Sequence, residues 1–145
     1  MRRYAWAVLG LGLLAVGNGA RPVSGQGTAS AAAVSLKQNY PNPFNPATTI
    51  PFTLSGDVFA NGHRPTVSLK IYNVLTQLVA IPILQGTGQP LDNVQLDCAS
   101  PSAGCAFAAY WDGNVAGGAQ AASGVYIYQL VVDGRRFVKK MIIMK

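Results

Sequence analysis

The 145-residue chain has no glutamate, a single histidine, two cysteines and only 11% charged residues. These scarcities exclude much. One imidazole cannot build a His-rich metal centre. Catalysis by paired carboxylates would have to draw on five aspartates, and Asp92, Asp97, Asp112 and Asp133 fall at expected strand ends, where Asp serves turns. Ser123-Gly124 lacks the second glycine of a nucleophile elbow. His63 sits in the loop sequence Asn61-Gly62-His63-Arg64-Pro65 and reads as an exposed loop residue. No enzyme is expected, and no cofactor or small-molecule substrate. The apolar run Tyr4–Val16 is 13 residues long, short of the ~20 that span a bilayer as a helix. Half of the chain is hydrophobic, which excludes intrinsic disorder, a state of low hydrophobicity and high charge.

What is present begins with an export signature. Met1-Arg2-Arg3 is cationic, Tyr4–Val16 is apolar, and small and polar residues follow. That order is the one found in secretory signal peptides. We expect residues 1–27 to be a signal peptide, cleaved somewhere between Ala20 and Gly27. Residues 28–35 then form a short flexible leader, and 36–145 a single domain. From Thr28 onward eight Lys/Arg face five Asp, and five of the eight bases lie at the end: Arg135, Arg136, Lys139, Lys140 and Lys145. Basic charge is therefore concentrated in one terminal segment, and no nucleic-acid face is expected. In an exported chain Cys98 and Cys105 are expected to pair, closing the turn-rich loop CASPSAGC as a staple on a hairpin or a long corner.

The mature region has a period of two. Thr48–Leu54 (TTIPFTL), Thr66–Asn73 (TVSLKIYN), Leu78–Leu84 (LVAIPIL), Asn93–Asp97, Ala106–Trp111, Gly124–Val132 (GVYIYQLVV) and Phe137–Met144 (FVKKMIIM) read as strands. Pro82 puts the third on an edge or at a bulge, since proline cannot donate to a central ladder. Asp133-Gly134 is a hairpin turn signal. No convincing helix follows the signal region. About seven or eight short strands with turns between them predict an all-β, immunoglobulin-like antiparallel sandwich. Its core should include Ile50, Phe52, Val67, Leu69, Ile71, Val79, Trp111, Tyr126, Tyr128 and Leu130. Asp112-Gly113-Asn114 with Gly117-Gly118 reads as a glycine-rich turn, with too few charged ligands for a calcium loop. In GRRFVKKMIIMK the charges interrupt an apolar strand. They either protect an exposed edge or mark a strand read by a partner, through its edge or its charge.

Three blocks in a fixed order carry a resemblance: LKQNYPNPFNPATTIPFTL (Leu36–Leu54), VSLKIYNVLTQLV (Val67–Val79) and YWDGNVAGGAQAASGVYIYQL (Tyr110–Leu130), closed by KKMIIMK (Lys139–Lys145). Together they resemble the C-terminal sorting domain of type IX secretion cargo, and equally the immunoglobulin-like domain of flagellar hook-capping proteins. The resemblance implies a non-catalytic β-sandwich. In sorting domains the last strands are read by an export machine in the outer membrane of Gram-negative bacteria, and cargo is then attached to the surface. Carried over, the recognised residues would be Lys139, Lys140, Met141 and Lys145, with Gly124 and Tyr126 shaping the preceding strand. The implied partner is that secretion machinery or, for a hook-cap-like adhesive module, another cell-surface protein. The implied place is the periplasm, the outer-membrane surface or the exterior. Thr76 stands where such domains commonly carry Gly, and the stretch from Leu84 to Tyr110 is long and holds the cysteine pair. No cargo-like segment precedes the domain. We therefore expect either a free-standing surface module or a fragment.

Overall fold

A computed structural model describes residues 33–145. The expected signal peptide and residues 28–32 of the expected leader lie outside the described residues. The rest forms nine strands: β1 (Val34–Leu36), β2 (Thr48–Leu54), β3 (Thr66–Tyr72), β4 (Leu78–Ala80), β5 (Ile83–Leu84), β6 (Val94–Gln95), β7 (Cys105–Trp111), β8 (Gly124–Val132) and β9 (Arg135–Ile143). One sheet runs β1-β2-β7-β5. The other runs β4-β3-β8-β9, with β6 also pairing β3. Every ladder between strands is antiparallel. This is the antiparallel β-sandwich that the period-two pattern predicts. β1 begins at Val34, so Val34 and Ser35, expected in the leader, belong to the sheet.

Alternation builds the core. Thr48, Ile50, Phe52 and Leu54 of β2 face inward and the residues between them outward. Val67, Leu69 and Ile71 of β3 and Tyr126, Tyr128, Leu130 and Val132 of β8 meet them from the opposite sheet. All ten residues expected in the core are buried. Leu91, buried in a loop, was not expected there. It is held by backbone bonds, Leu91 N–H donating to Pro82 O (2.9 Å) and Leu91 O accepting from Leu69 N–H (2.8 Å).

Pro51 is tolerated inside β2 for a simple reason. In a strand the N–H and C=O of one residue point to the same side. Pro51 O accepts from Lys37 N–H (3.0 Å), just past the end of β1. The missing donor thus faces a ladder that has already ended, and pairing with β7 is intact.

The run Leu78–Leu84, expected as one strand, is two. β4 lies at the edge of one sheet and β5 at the edge of the other, with Ile81-Pro82 at the crossing. A proline between two apolar pairs turns the chain instead of interrupting a ladder. Two short 3-10 segments, Gly56–Gly62 and Pro101–Ala103, were also not expected.

Cys98 and Cys105 form a disulfide with their Cα atoms 5.8 Å apart. β6 belongs to one sheet and β7 to the other. The staple therefore closes a corner between sheets, not a hairpin, and contributes about 2.5 kcal/mol by loop entropy.

The β3–β4 turn explains the departure at Thr76. Asn73 Oδ1 accepts from Leu75 N–H and Gln77 N–H, both 3.0 Å, and Thr76 takes φ +60°. A β-branched residue is strained there, by about 1–2 kcal/mol, whereas glycine is not. Thr76→Gly should raise the unfolding free energy by about 1 kcal/mol, measured by urea denaturation; a loss of stability would contradict this account of the turn.

Candidate functional site

The basic C-terminal strand is β9, paired along its whole length with β8 from Gly124↔Ile143 to Val132↔Arg135. The connection is the two-residue turn Asp133-Gly134, with φ +48° and +81°. Both residues lie in the left-handed region, the geometry that matches the twist of a hairpin. Asp133 does more than turn. Its carboxylate accepts from Thr66 N–H (3.0 Å) and contacts His63 Nε2 (2.8 Å). Burial pushes the Asp133 pKa up, but the Thr66 bond and His63 outweigh it and hold the carboxyl below its usual value. A depressed folded-state pKa adds stability above the unfolded value, 3.8, and that stability is lost as pH falls through the folded value. Asp133→Asn keeps the turn and removes the ionisation. Its acid-unfolding curve should be shallower below pH ~4 than that of the parent; coincident curves would count against the linkage.

β9 is the outermost strand of its sheet. Met141 and Ile143 point into the core, and Phe137 and Lys139 are half-buried on the same face. Arg136, Val138, Lys140 and Ile142 point outward and are exposed. Among the described residues the ion pairs are His63–Asp133, Arg64–Asp97 and Lys70–Asp92. None of them uses a cation of β9, so its Arg and Lys charges are left uncompensated.

The outer edge of β9 is covered over only half its length. The proline-rich segment before β2 lies along the C-terminal half. Gln38 Nε2 donates to Lys140 O (2.9 Å), Ile142 N–H donates to Asn42 Oδ1 (3.0 Å), and Ile142 O accepts from Phe44 N–H (3.0 Å). Met144 N–H donates to Phe44 O (3.1 Å). Even-numbered residues of β9 thus turn their backbone groups away from β8. At Arg136 and Val138 those groups have no partner among the described residues. The open half of the edge is flanked by arginine and lysine, a combination that discourages non-specific strand pairing.

The same segment reaches into the core. The Phe44 ring is buried and packs edge-on against Trp111, centroids 5.5 Å apart, and Trp111 packs edge-on against Tyr126 at 5.8 Å. Tyr128 is the second anchor. Its hydroxyl donates to Lys37 O (2.8 Å) and accepts from Asn39 N–H (3.1 Å). Burial raises the Tyr128 pKa, with the Asn39 bond opposing. The buried Asn39 side chain donates to Thr48 Oγ1 and Pro41 O. The Trp-Asp-Gly turn completes the cluster: Trp111 Nε1–H donates to Asn114 O (2.8 Å), and Gly113 lies against Pro46. A Cβ on Gly113 would stand 2.0 Å from Pro46 O, and its φ is +84°; only glycine fits. Three blocks distant in sequence therefore form one structural cluster that ties β9 to β2.

Of the residues singled out from sequence, Met141 is in the core. Tyr126 is buried, with its hydroxyl donating to Ala122 O (2.8 Å). Gly124 opens β8 at φ +148°. Lys139 is half-buried, and Lys140 and Lys145 are exposed, with Lys145 N–H donating to Ser123 Oγ (3.1 Å). Five of the six lie in the β8–β9 hairpin and Lys145 just beyond it; Gly124, Lys140 and Lys145 are exposed, and of the charged three only Lys140 and Lys145 face solvent fully. The clasp residues Gln38, Asn42 and Phe44 were missed as contacts of the terminal strand. The repeated Asn-Pro pairs were the available signal. His63 is held by Asp133, and Asp112 accepts from Asn114 N–H (2.9 Å).

No family model matches the chain, and no curated protein matches it. Among solved structures the chain is similar to part of dimeric latent PorU from Porphyromonas gingivalis, at 22% identity and a TM-score of 0.51. The match covers 77% of this chain and 9% of that one. A match to PorZ, a surface component of the type-IX secretion system of the same organism, has 17% identity and a TM-score of 0.42, over 77% of this chain and 12% of that one. The chain thus spans only a small part of the proteins it matches, and the PorU likeness establishes a shared β fold.

Proposed function

We propose that the chain is a non-catalytic exported β-sandwich module that directs delivery to the cell surface through a type IX-like secretion route, with β9 as the strand its partner reads. The observation that carries this reading is the strand itself: outermost in its sheet and, among the described residues, open along half its edge and basic with no acidic partner for its charges. The ordered blocks of sequence that resemble sorting domains support it, as does the fold shared with part of PorU. The partner is an outer-membrane protein that presents acidic groups to Lys140 and Lys145 and accommodates the open backbone edge.

Replacing both lysines with glutamate tests the reading without touching the core, since both are exposed. In a host with a type IX pathway, protease accessibility on intact cells should show surface protein reduced at least ~10-fold, the equivalent of about 1.4 kcal/mol of recognition. Periplasmic protein should be folded and correspondingly increased. Surface levels equal to the parent's would remove β9 charge from the mechanism.

A further inference from the structure

The sheet opposite β9 carries a second surface, distinct from the strand to which the proposed function assigns recognition. Tyr40 bridges Thr49, Thr49 pairs Tyr110, and Tyr110 pairs Ile83, so the four stand in one row across the strands. Ile50 and Ala109 point inward, which turns their neighbours in this row outward. Tyr40 is 60% exposed, Tyr110 37% and Ile83 38%. The next row, Pro51–Ala108, is small and flat, with one charge, the exposed Lys37, at its β1 end, where Lys37 N–H meets Pro51 O. Gln85 Nε2 lies 3.5 Å from Thr49 Oγ1, placing an amide and a hydroxyl between the rings. At its Ile83 end the row opens into a cleft of about 530 Å³, with Ile81, Pro90 and Ala116 as apolar wall and Asp112 and Asn114 as polar wall.

We propose that this row and cleft bind a neutral polysaccharide chain laid across the strands. A pyranose ring has an apolar C–H face that stacks on an aromatic ring, whose faces are electron-rich. Its rim of hydroxyls needs donors and acceptors, here Thr49, Gln85, Asp112 and Asn114. The two tyrosines are two strand spacings apart, about 10 Å, which matches every second unit of an extended β-linked glycan. The full row, three spacings or about 14 Å, accommodates about three units. Charge selects the ligand class. The single ionised group in the cleft is Asp112, whose oxygens each accept one bond from Asn114 and keep a further lone pair for a sugar hydroxyl. That carboxylate repels anions from the cleft, Lys37 in the neighbouring row balances it so that the face carries no net charge, and the cations of β9 belong to the other sheet.

The test is native affinity electrophoresis of the full chain through gels containing hydroxyethyl cellulose, glycol chitin or, as the anionic control, polygalacturonate. Retardation by at least one neutral polymer is expected, weakened at least tenfold in Tyr40→Ala/Tyr110→Ala and largely retained in Tyr40→Phe/Tyr110→Phe. Melting temperatures should be unchanged because both rings are exposed. No retardation by either neutral polymer, retardation by polygalacturonate alone, or equal retardation of the alanine variant would each overturn the proposal. So would a concentration-dependent dimer in sedimentation that the alanine pair abolishes without any polysaccharide binding; the face would then belong to a second copy of the chain.

Discussion

Phe44→Ala should lower the unfolding free energy by about 3–5 kcal/mol, the usual cost of deleting a fully buried aromatic ring. On a domain of ordinary stability, about 5–15 kcal/mol, that is a fall in melting temperature of roughly 15 °C. The residue looks like a loop residue in sequence, between two Asn-Pro pairs. In the fold it is 2% exposed and packs on Trp111. Its backbone also makes two of the bonds that hold the end of β9. The matched control is Tyr40→Ala in the same segment. Tyr40 is exposed, so its loss should change stability by less than about 0.5 kcal/mol. Thermal unfolding of the two variants side by side reads the difference. Equal effects would mean that the segment is a linker and not a clasp.

Deleting Lys139–Lys145 should abolish cooperative unfolding altogether. The deletion removes five of the nine β8–β9 pairs, from Gly124↔Ile143 to Tyr128↔Lys139. It takes Met141 and Ile143 out of the core, each worth about 2–5 kcal/mol on truncation to alanine. It also strips Asn42 and Phe44 of their partners. The losses together exceed the stability of a typical domain. Near-UV circular dichroism of the truncated chain should show no fixed aromatic environment, and a sharp melting transition would contradict this. The result matters for function, because failed delivery of such a truncation reports misfolding as readily as lost recognition. Charge substitutions at the exposed lysines separate the two.

The sequence reveals the strands wherever alternation is strict. In β2 and β3 the inward positions are apolar and most of those between are polar, so the pattern alone sets both the strand and its inward face; β8 is apolar on both faces and is set as a strand by its β-branched and aromatic residues. It also reveals the β8–β9 turn, because Asp133-Gly134 meets the backbone demand of a two-residue hairpin. Leu78–Leu84 misleads, since a run that is apolar throughout has no period to show that it belongs to two sheets. Leu91 is hidden for a related reason: its burial comes from backbone bonds made by a loop, and no periodicity records them. The candidate site was half legible. The concentration of charge on the terminal strand is plain in the sequence, but the residues carried over from sorting domains include Lys139, Lys140 and Met141, which the pleat of β9 sends to opposite faces. The clasp joins Asn42 to Ile142, 100 residues apart, and a contact of that range leaves no local trace.

By the proposed function, this module carries its own surface address in β9. The most direct measurement places residues 33–145 at the C-terminus of a periplasmic fluorescent reporter in a type IX-competent cell and compares surface fluorescence after external quenching. The fused reporter should be displayed, and the same fusion with Lys140→Glu and Lys145→Glu should be folded but retained inside. A reporter that stays in the periplasm with the unaltered module attached, or that reaches the surface equally with both versions, would contradict that reading.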